Sequence, residues 1–451
     1  MATARTTRRG MLRATASMAA GAGVPLLAGC APNPPAAGGD TPPPSQQPVT
    51  LRYLARGSQA NLDIQRQGIE EFQKAHPRIT VEMEVASNYL QKLQTELASG
   101  TTSDVAFTAM GSFRVVAKQG GLVALDPFMA RDVKPGDYYE YALESGRYNG
   151  KTYVFPYDGG TYALAFNKDL FDTAQIKYPD DTWTWDQYVE VATRLTLDQN
   201  GRRADESGFD PSRIAQYGSV SIRGNYWYWV WANGGEILSK DKSKSTLDTP
   251  VALDTIQWIA DLHTKRVIMP TPAYPEADPA AVGGDRGYTA GRVALCPHGR
   301  WRVSEYRRVA EFPWDVAAMP SGKAGRIGYG WFSGMSIIRD TKAPAESWEL
   351  CKYWGGEAGQ GLLAERGQNV PAMPRLANSD LFLKSSPPAN NKAYLEAIKD
   401  ARIHPTAYII ESTEYNDILN PVLNAIWKGE QAAKSAIPPL IPQLNAVLAQ
   451  G

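Results

Sequence analysis

Apolar residues recur along this chain with two periods, and the switching between them predicts its elements. Residues 51–55 form a short apolar run of strand length. A helical pattern follows, in which Leu62, Ile69 and Phe72 share one face until Pro77 stops it. Ile79, Val81, Met83 and Val85 then alternate with Thr80, Glu82 and Glu84, the period of a half-buried strand. Tyr89, Leu90, Leu93 and Leu97 mark a second helix closed by Gly100, and residues 105–108 a short buried strand. The order β-α-β-α-β within about 60 residues is that of a right-handed parallel unit, so the first lobe is expected to be α/β.

Further on, residues 152–156 and 162–166 read as strands. Thr184-Trp185-Asp186-Gln187 reads as a capping box opening a helix through Leu195. Helical stretches are expected at 225–233 and 251–263. The sequence has no internal repeat, and no apolar run after residue 30 is long enough to cross a membrane.

Composition narrows the function classes. With 451 residues, 43% hydrophobic and 21% charged, the chain can bury one large or two medium cores, so two globular lobes are expected. Lys plus Arg and Asp plus Glu both number 47, which removes the positive field that attracts phosphates; no nucleic-acid partner is expected. The cysteines, Cys30, Cys296 and Cys351, are too scattered for a disulfide framework or a paired-cysteine metal site. Cys296 and Cys351 are expected to be free, buried thiols.

Residues 1–29 have the order of a processed export signal. Arg5, Arg8, Arg9 and Arg13 precede a weakly apolar run that ends at Leu26-Leu27-Ala28-Gly29-Cys30. Residues 7–13 resemble a twin-arginine signal, and Leu27-Ala28-Gly29-Cys30 resembles a bacterial lipobox. The second resemblance implies that Cys30 carries the lipid and holds the protein outside the cytoplasm at the membrane. Residues 30–48, rich in Pro, Gly, Ala and Gln, read as a disordered tether reaching about 25 Å. Removing residues 1–29 takes away four arginines and no acid, leaving a net charge of −4.

Within the body, motifs follow one another in the order of the extracellular solute-binding proteins of ABC importers, the family that includes maltose-binding protein. The resemblance covers about residues 50–435. It begins with Glu70-Glu71-Phe72, His76-Pro77-Arg78-Ile79 and Val81, and continues with Lys92-Leu93-Gln94-Thr95-Glu96-Leu97-Ala98-Ser99-Gly100 and Ser103-Asp104-Val105. Next come Asn149-Gly150-Lys151-Thr152-Tyr153, Phe166-Asn167-Lys168-Asp169-Leu170-Phe171 and Thr182-Trp183-Thr184-Trp185. Asn233-Gly234-Gly235-Glu236, Gly291-Arg292-Val293-Ala294 and Gly299-Arg300-Trp301 complete the series.

The resemblance implies a periplasmic-binding-protein-like α/β fold, with two α/β lobes, a ligand cleft between them and hinge crossovers. By position the crossovers fall near 156–160, 298–301 and Asp340. Residues 49–157 with 301–340 would then form the N-terminal lobe, and 158–300 with 341–451 the C-terminal lobe. It also implies binding without chemistry: a monomer, needing no cofactor or metal, clamps a small solute by hinge closure and delivers it to ABC permease subunits.

A sugar or oligosaccharide is the favoured solute. Its hydroxyls need paired donors and acceptors and its C–H face packs on aromatic rings, and the chain supplies 12 Trp and 22 Tyr. Ligands of open α/β sheets sit beyond the carboxyl ends of strands. Arg56 and Ser58 after the first strand, and Thr108 and Met110 after the third, are therefore candidates; for the first pair a plain turn is the alternative. Family members often place a ligand contact in the second of these positions, where this chain has no acid. At the first crossover Asp158 is the preferred acid, able to accept two hydroxyls or to cap a turn, and Thr161 lies beside it. Residues 225–231 hold too many aromatics to bury them all, so Asn225 and Trp227 are assigned to the cleft. Arg300 and Trp301 match the family segment whose tryptophan stacks on the sugar, and Trp331 and Tyr408 follow by the same logic.

Enzyme signatures are missing from the sequence: there is no phosphate loop, no H-E-x-x-H zinc helix and no G-x-S-x-G elbow. Cys296-Pro297-His298 is the one close thiol–imidazole pair and reads as structural. Asp180-Asp181 reads as a solvated turn, and residues 283–287 as a flexible glycine loop. The alternatives are the same fold binding a polyamine, glycerophosphodiester or peptide, a secreted carbohydrate-active enzyme, or a sensor that signals without transport.

Overall fold

The computed structural model describes residues 45–450, apart from 46, 87, 110–112, 271–284, 399–400, 404, 406–407 and 410–411. The export signal, Cys30 and the tether up to residue 44 lie outside the described residues.

β1 (Val49–Ala55) pairs in parallel with β2 (Ile79–Val85) on one side and β3 (Val105–Ala109) on the other, through α1 (Gln59–Ala75) and α2 (Tyr89–Ser99). This is the unit that the periodicity predicts. Leu62, Ile69 and Phe72 are buried on α1, and the alternation of β2 buries Ile79 and Val81. It fades by Val85, which is 45% exposed, because β2 is the edge strand.

A small hairpin, β4 (Arg147–Tyr148) with β5 (Lys151–Thr152), leads into β6 (Phe155–Gly160). The chain passes through Thr161 into β7 (Tyr162–Asn167) and builds a second sheet with β8 (Leu197–Asp198), β9 (Ile214–Ser219), β10 (Val293–Gly299) and β11 (Trp314–Ala317). It returns in β12 (Gly328–Ile337), and β13 (Ala401–Ile403) follows. The first sheet has the order β13-β12-β3-β1-β2 with β6 also on β12; the second has the order β11-β7-β10-β9-β8. Among the helices of the second lobe, Trp185–Arg194 starts at the expected capping box, with Thr184 and Gln187 exchanging hydrogen bonds. Tyr226–Ala232 and Pro250–Thr264 also fall where the periodicity places them.

The division between the lobes differs from the expected one in three places. Asp158, Gly159 and Gly160 are not a turn; they continue β6 opposite Ser333, Phe332 and Trp331. β10 and β11 both pair with β7, so the chain stays with the second sheet through Ala317 and comes back in β12, not at 298–301. No crossing occurs at Asp340. The helices Pro344–Gly355 and Glu357–Glu365 bury Trp348, Leu350, Cys351, Trp354 and Leu363 against Leu51, Tyr53 and Met335 of the first sheet, because that face offers the apolar surface they need. The last long helices, Ser412–Trp427 and Ile441–Leu448, do join the core of the second lobe through Leu419, Leu423, Trp427 and Leu444.

Candidate functional site

Two neighbouring strands of the second sheet set the geometry. β7 and β10 run antiparallel with Tyr162 opposite Gly299, and the Arg300 amide donates to the Thr161 carbonyl at 3.1 Å. Residues 300–302 then form one 3-10 turn. This brings the Trp301 ring edge-on to Tyr162, with centroids 5.6 Å apart. Gly299 is required for that approach: a methyl group there would lie 2.1 Å from the Trp301 indole.

Tyr162 is the centre of an aromatic cluster. Tyr329 stacks on it at 4.9 Å, Trp227 lies 6.0 Å from it and 4.7 Å from Tyr329, and the Tyr162 hydroxyl donates to Asn225 Oδ1 at 2.9 Å. The structure thus brings Asn225, Trp227 and Trp301 together. Trp227 and Tyr329 are buried while Trp301 keeps partial exposure, so Trp301 is the ring with a face to offer. Contrary to expectation, residues 227–232 are all buried, because this short helix packs into the core of the second lobe, with Tyr188 and Trp258 against Trp229.

The polar candidates divide differently. Asp158 is buried; Ser333 N–H donates to Oδ1 at 3.1 Å and Asn369 Nδ2 donates to Oδ2, tying β6 to β12 and to the segment after the Glu357–Glu365 helix. Burial pushes its carboxyl up to about 7, against the lowering effect of those two donors. Ser58 is the N-cap of α1, in a capping box with Asn61, which is the turn alternative. Asn61 reaches across to Ser304 Oγ at 3.0 Å and to Gln368, and Ser304 donates to Gln368 at 2.9 Å, so the start of α1 is tied to the helix Val303–Val309. The Arg56 side chain is exposed, while its carbonyl accepts from Gln65.

Thr108 and Thr161 turn inward. Thr108 Oγ1 is 3.2 Å from the Tyr89 hydroxyl, and Thr161 donates to the Tyr394 carbonyl at 3.1 Å. Arg300 is a correction. Successive side chains of a 3-10 turn point about 120° apart, so with Trp301 at the cluster Arg300 enters the core, over Phe382 and Tyr394 at 5.2 and 5.4 Å, and donates to the Gly367 carbonyl. Burial lowers its pKa to about 9. Tyr408 is also apart from the cluster: it is 37% exposed, with Lys242 Nζ 4.9 Å from its ring centroid. Met110 and the Trp331 side chain lie outside the described residues.

Sequence reasoning missed Tyr162, Tyr329, Asn61, Ser304, Gln368 and Asn369. Only Tyr162 and Tyr329 carried a signal, each lying within two residues of a position already singled out. The thiol–imidazole pair is structural: Cys296 Sγ is 3.3 Å from the Tyr306 hydroxyl, and His298 Nε2 is 2.5 Å from that of Tyr394. Cys296 and Cys351 are free and buried. Asp180 caps a turn by accepting from Thr182. Residues 283–284 lie outside the described residues, and Asp285–Thr289 is a short helix. Among the described residues no group of three or more His, Cys, Asp or Glu could hold a metal ion, and no helix is long and apolar enough to cross a membrane.

Residues 59–361 match the family model described as bacterial extracellular solute-binding protein. A relative from Brucella abortus (strain 2308), named only provisionally as a binding protein, is 25% identical over 84% of this chain and 88% of its own. Two solved structures share the fold. One is an ABC substrate-binding protein from Listeria monocytogenes in complex with cycloalternan, with a TM-score of 0.78 at 20% identity, over 89% of this chain and 99% of that one. The other is T. maritima MalE3 with bound maltose, with a TM-score of 0.72 at 19% identity, over the same shares of the two chains. The two sheets are thus those of a periplasmic-binding-protein-like α/β fold.

Proposed function

Because this chain belongs to the bacterial extracellular solute-binding protein family, we propose that it captures a sugar or oligosaccharide outside the cytoplasm and delivers it to an ABC importer without altering it. The observation that carries this reading is the convergence of Trp227, Trp301 and Tyr329 on Tyr162, with Asn225 hydrogen-bonded to the tyrosine, where the chain crosses between the two sheets. Aromatic faces beside amide and hydroxyl groups suit a ring that is apolar on its face and polar at its rim. The maltose carried by the T. maritima protein of the same fold supports the choice of solute.

In this reading Trp301 stacks on the sugar and Asn225 and Arg56 meet its hydroxyls. Asp158 acts from behind, holding β6 and β12 in register at the hinge. Closure brings α1 against the helix Val303–Val309, and the Asn61–Ser304–Gln368 bonds secure that state. A lipid on Cys30 keeps the body beside the permease.

The test is the melting temperature of the chain against mono- and oligosaccharides, polyamines, glycerophosphodiesters and short peptides, since a ligand of the folded state raises it by mass action. A rise with one sugar class supports the reading. A rise only with a charged non-sugar would leave the receptor role and overturn the solute.

A further inference from the structure

One helical turn beyond Trp227, the same helix presents Trp231, 5.2 Å from Trp227, to a cavity of about 490 Å³. Both lobes line it, Tyr141 from the first and Trp231, Lys240 and Lys242 from the second; Arg402 and Tyr408 complete the wall. It shares Lys242 and Tyr408 with a neighbouring cavity of about 440 Å³, into which Arg114 faces.

The walls carry more positive charge than they neutralise. Arg402 is paired with Glu236 at 2.9 Å; Asp241, held by Ser239 and Ser243 at 2.6 and 2.9 Å, is the other carboxylate of the two walls and keeps its charge. Lys240, Lys242 and Arg114 have no ion pair among the described residues. The remaining surface is aromatic: Arg402 lies 5.5 Å over Trp231 and Lys242 lies over Tyr408.

We propose that these adjoining cavities are a second binding site, separate from the Trp301 cluster, for a sugar bearing a carboxylate or phosphate. Trp231 and Tyr408 bound the sugar, and the anion meets Lys242, which lines both cavities, with Lys240 on one side or Arg114 on the other. Since both lobes contribute, an occupant favours the arrangement in which they meet. This inference does not depend on the solute taken by the cluster.

The test is titration calorimetry of the full chain with digalacturonate, glucose 6-phosphate and maltose, repeated on K240A/K242A. Both lysines are exposed, so the double variant should fold as the parent does. Digalacturonate or glucose 6-phosphate should bind, more weakly as salt is raised, and the double variant should lose at least about tenfold of that affinity with maltose unchanged. Which of the two anions binds decides between carboxylate and phosphate. The proposal is overturned if neither anion binds the parent, if the double variant binds it equally well, or if maltose weakens in parallel. Failure of maltose alone would exclude maltose from the cluster and leave this site standing.

Discussion

Trp301 reaches the cluster only because its neighbours give way: Gly299 has no side chain to meet the indole, and Arg300 turns into the core. Truncation tests its role directly. Trp301→Ala should weaken sugar binding by at least about 1 kcal/mol with the circular dichroism spectrum unchanged, and equal affinity would remove it from the site. Asp158 makes a pH prediction. Its carboxyl, up at about 7 in the folded chain, returns to about 4 on unfolding. Between those values the folded state holds a proton that the unfolded state has lost. Its contribution to stability is therefore full below about pH 4 and disappears as pH rises through about 7. Asp158→Asn cannot ionise. Its unfolding free energy relative to the parent, from urea titration, should therefore climb between about pH 4 and about pH 7, by up to a few kcal/mol at about 1.4 per pKa unit. Parallel profiles would assign the pH dependence elsewhere. At this scale the sequence pointed to Trp227 and Asn225 through local pattern and to Trp301 through its resemblance to the family. Tyr329 reaches Tyr162 only through strand pairing that no local pattern encodes.

At the scale of elements, β6 is the instructive case. Asp158-Gly159-Gly160 has the composition of a turn, yet it is strand, because β12 pairs with all three residues on one side and Val370 bonds to Gly159 in both directions at 2.7 and 2.8 Å on the other. Gly159 is there for closeness: an added methyl would lie 2.7 Å from the Phe332 ring and 2.8 Å from the Val370 carbonyl. Gly159→Ala should lower stability by about 1–3 kcal/mol, read as a fall in melting temperature; no change would mean that β6 and β12 can part without cost. The capping box at Thr184 was legible because its bonds are local. Thr184→Ala should cost about 1 kcal/mol, measured by denaturant titration, and a neutral result would show that tertiary contacts alone hold the Trp185–Arg194 helix.

Across the whole molecule, the reading requires that the lobes move. Small-angle scattering should show a smaller radius of gyration on addition of a sugar that raises the melting temperature, and an unchanged radius would deny that closure reports binding. Cys30→Ser, expressed with its own signal, should move the protein from the membrane fraction to the soluble extracytoplasmic fraction. Retention at the membrane would rule out Cys30 as the anchor.

What the sequence determined by itself lay in short-range pattern. The parallel α/β unit of residues 49–109 follows from apolar periods, and the family from motifs in order. What only the tertiary structure decided was where the chain returns and which way buried side chains face. The helices Pro344–Gly355 and Glu357–Glu365 go to the first sheet because Trp348 and Trp354 find their apolar surface there, a match between residues some 300 positions apart. Arg300 and Trp301 are adjacent in sequence and opposed in space. Hydrophobic period is a property of neighbours along the chain, whereas a cleft is made by neighbours across it.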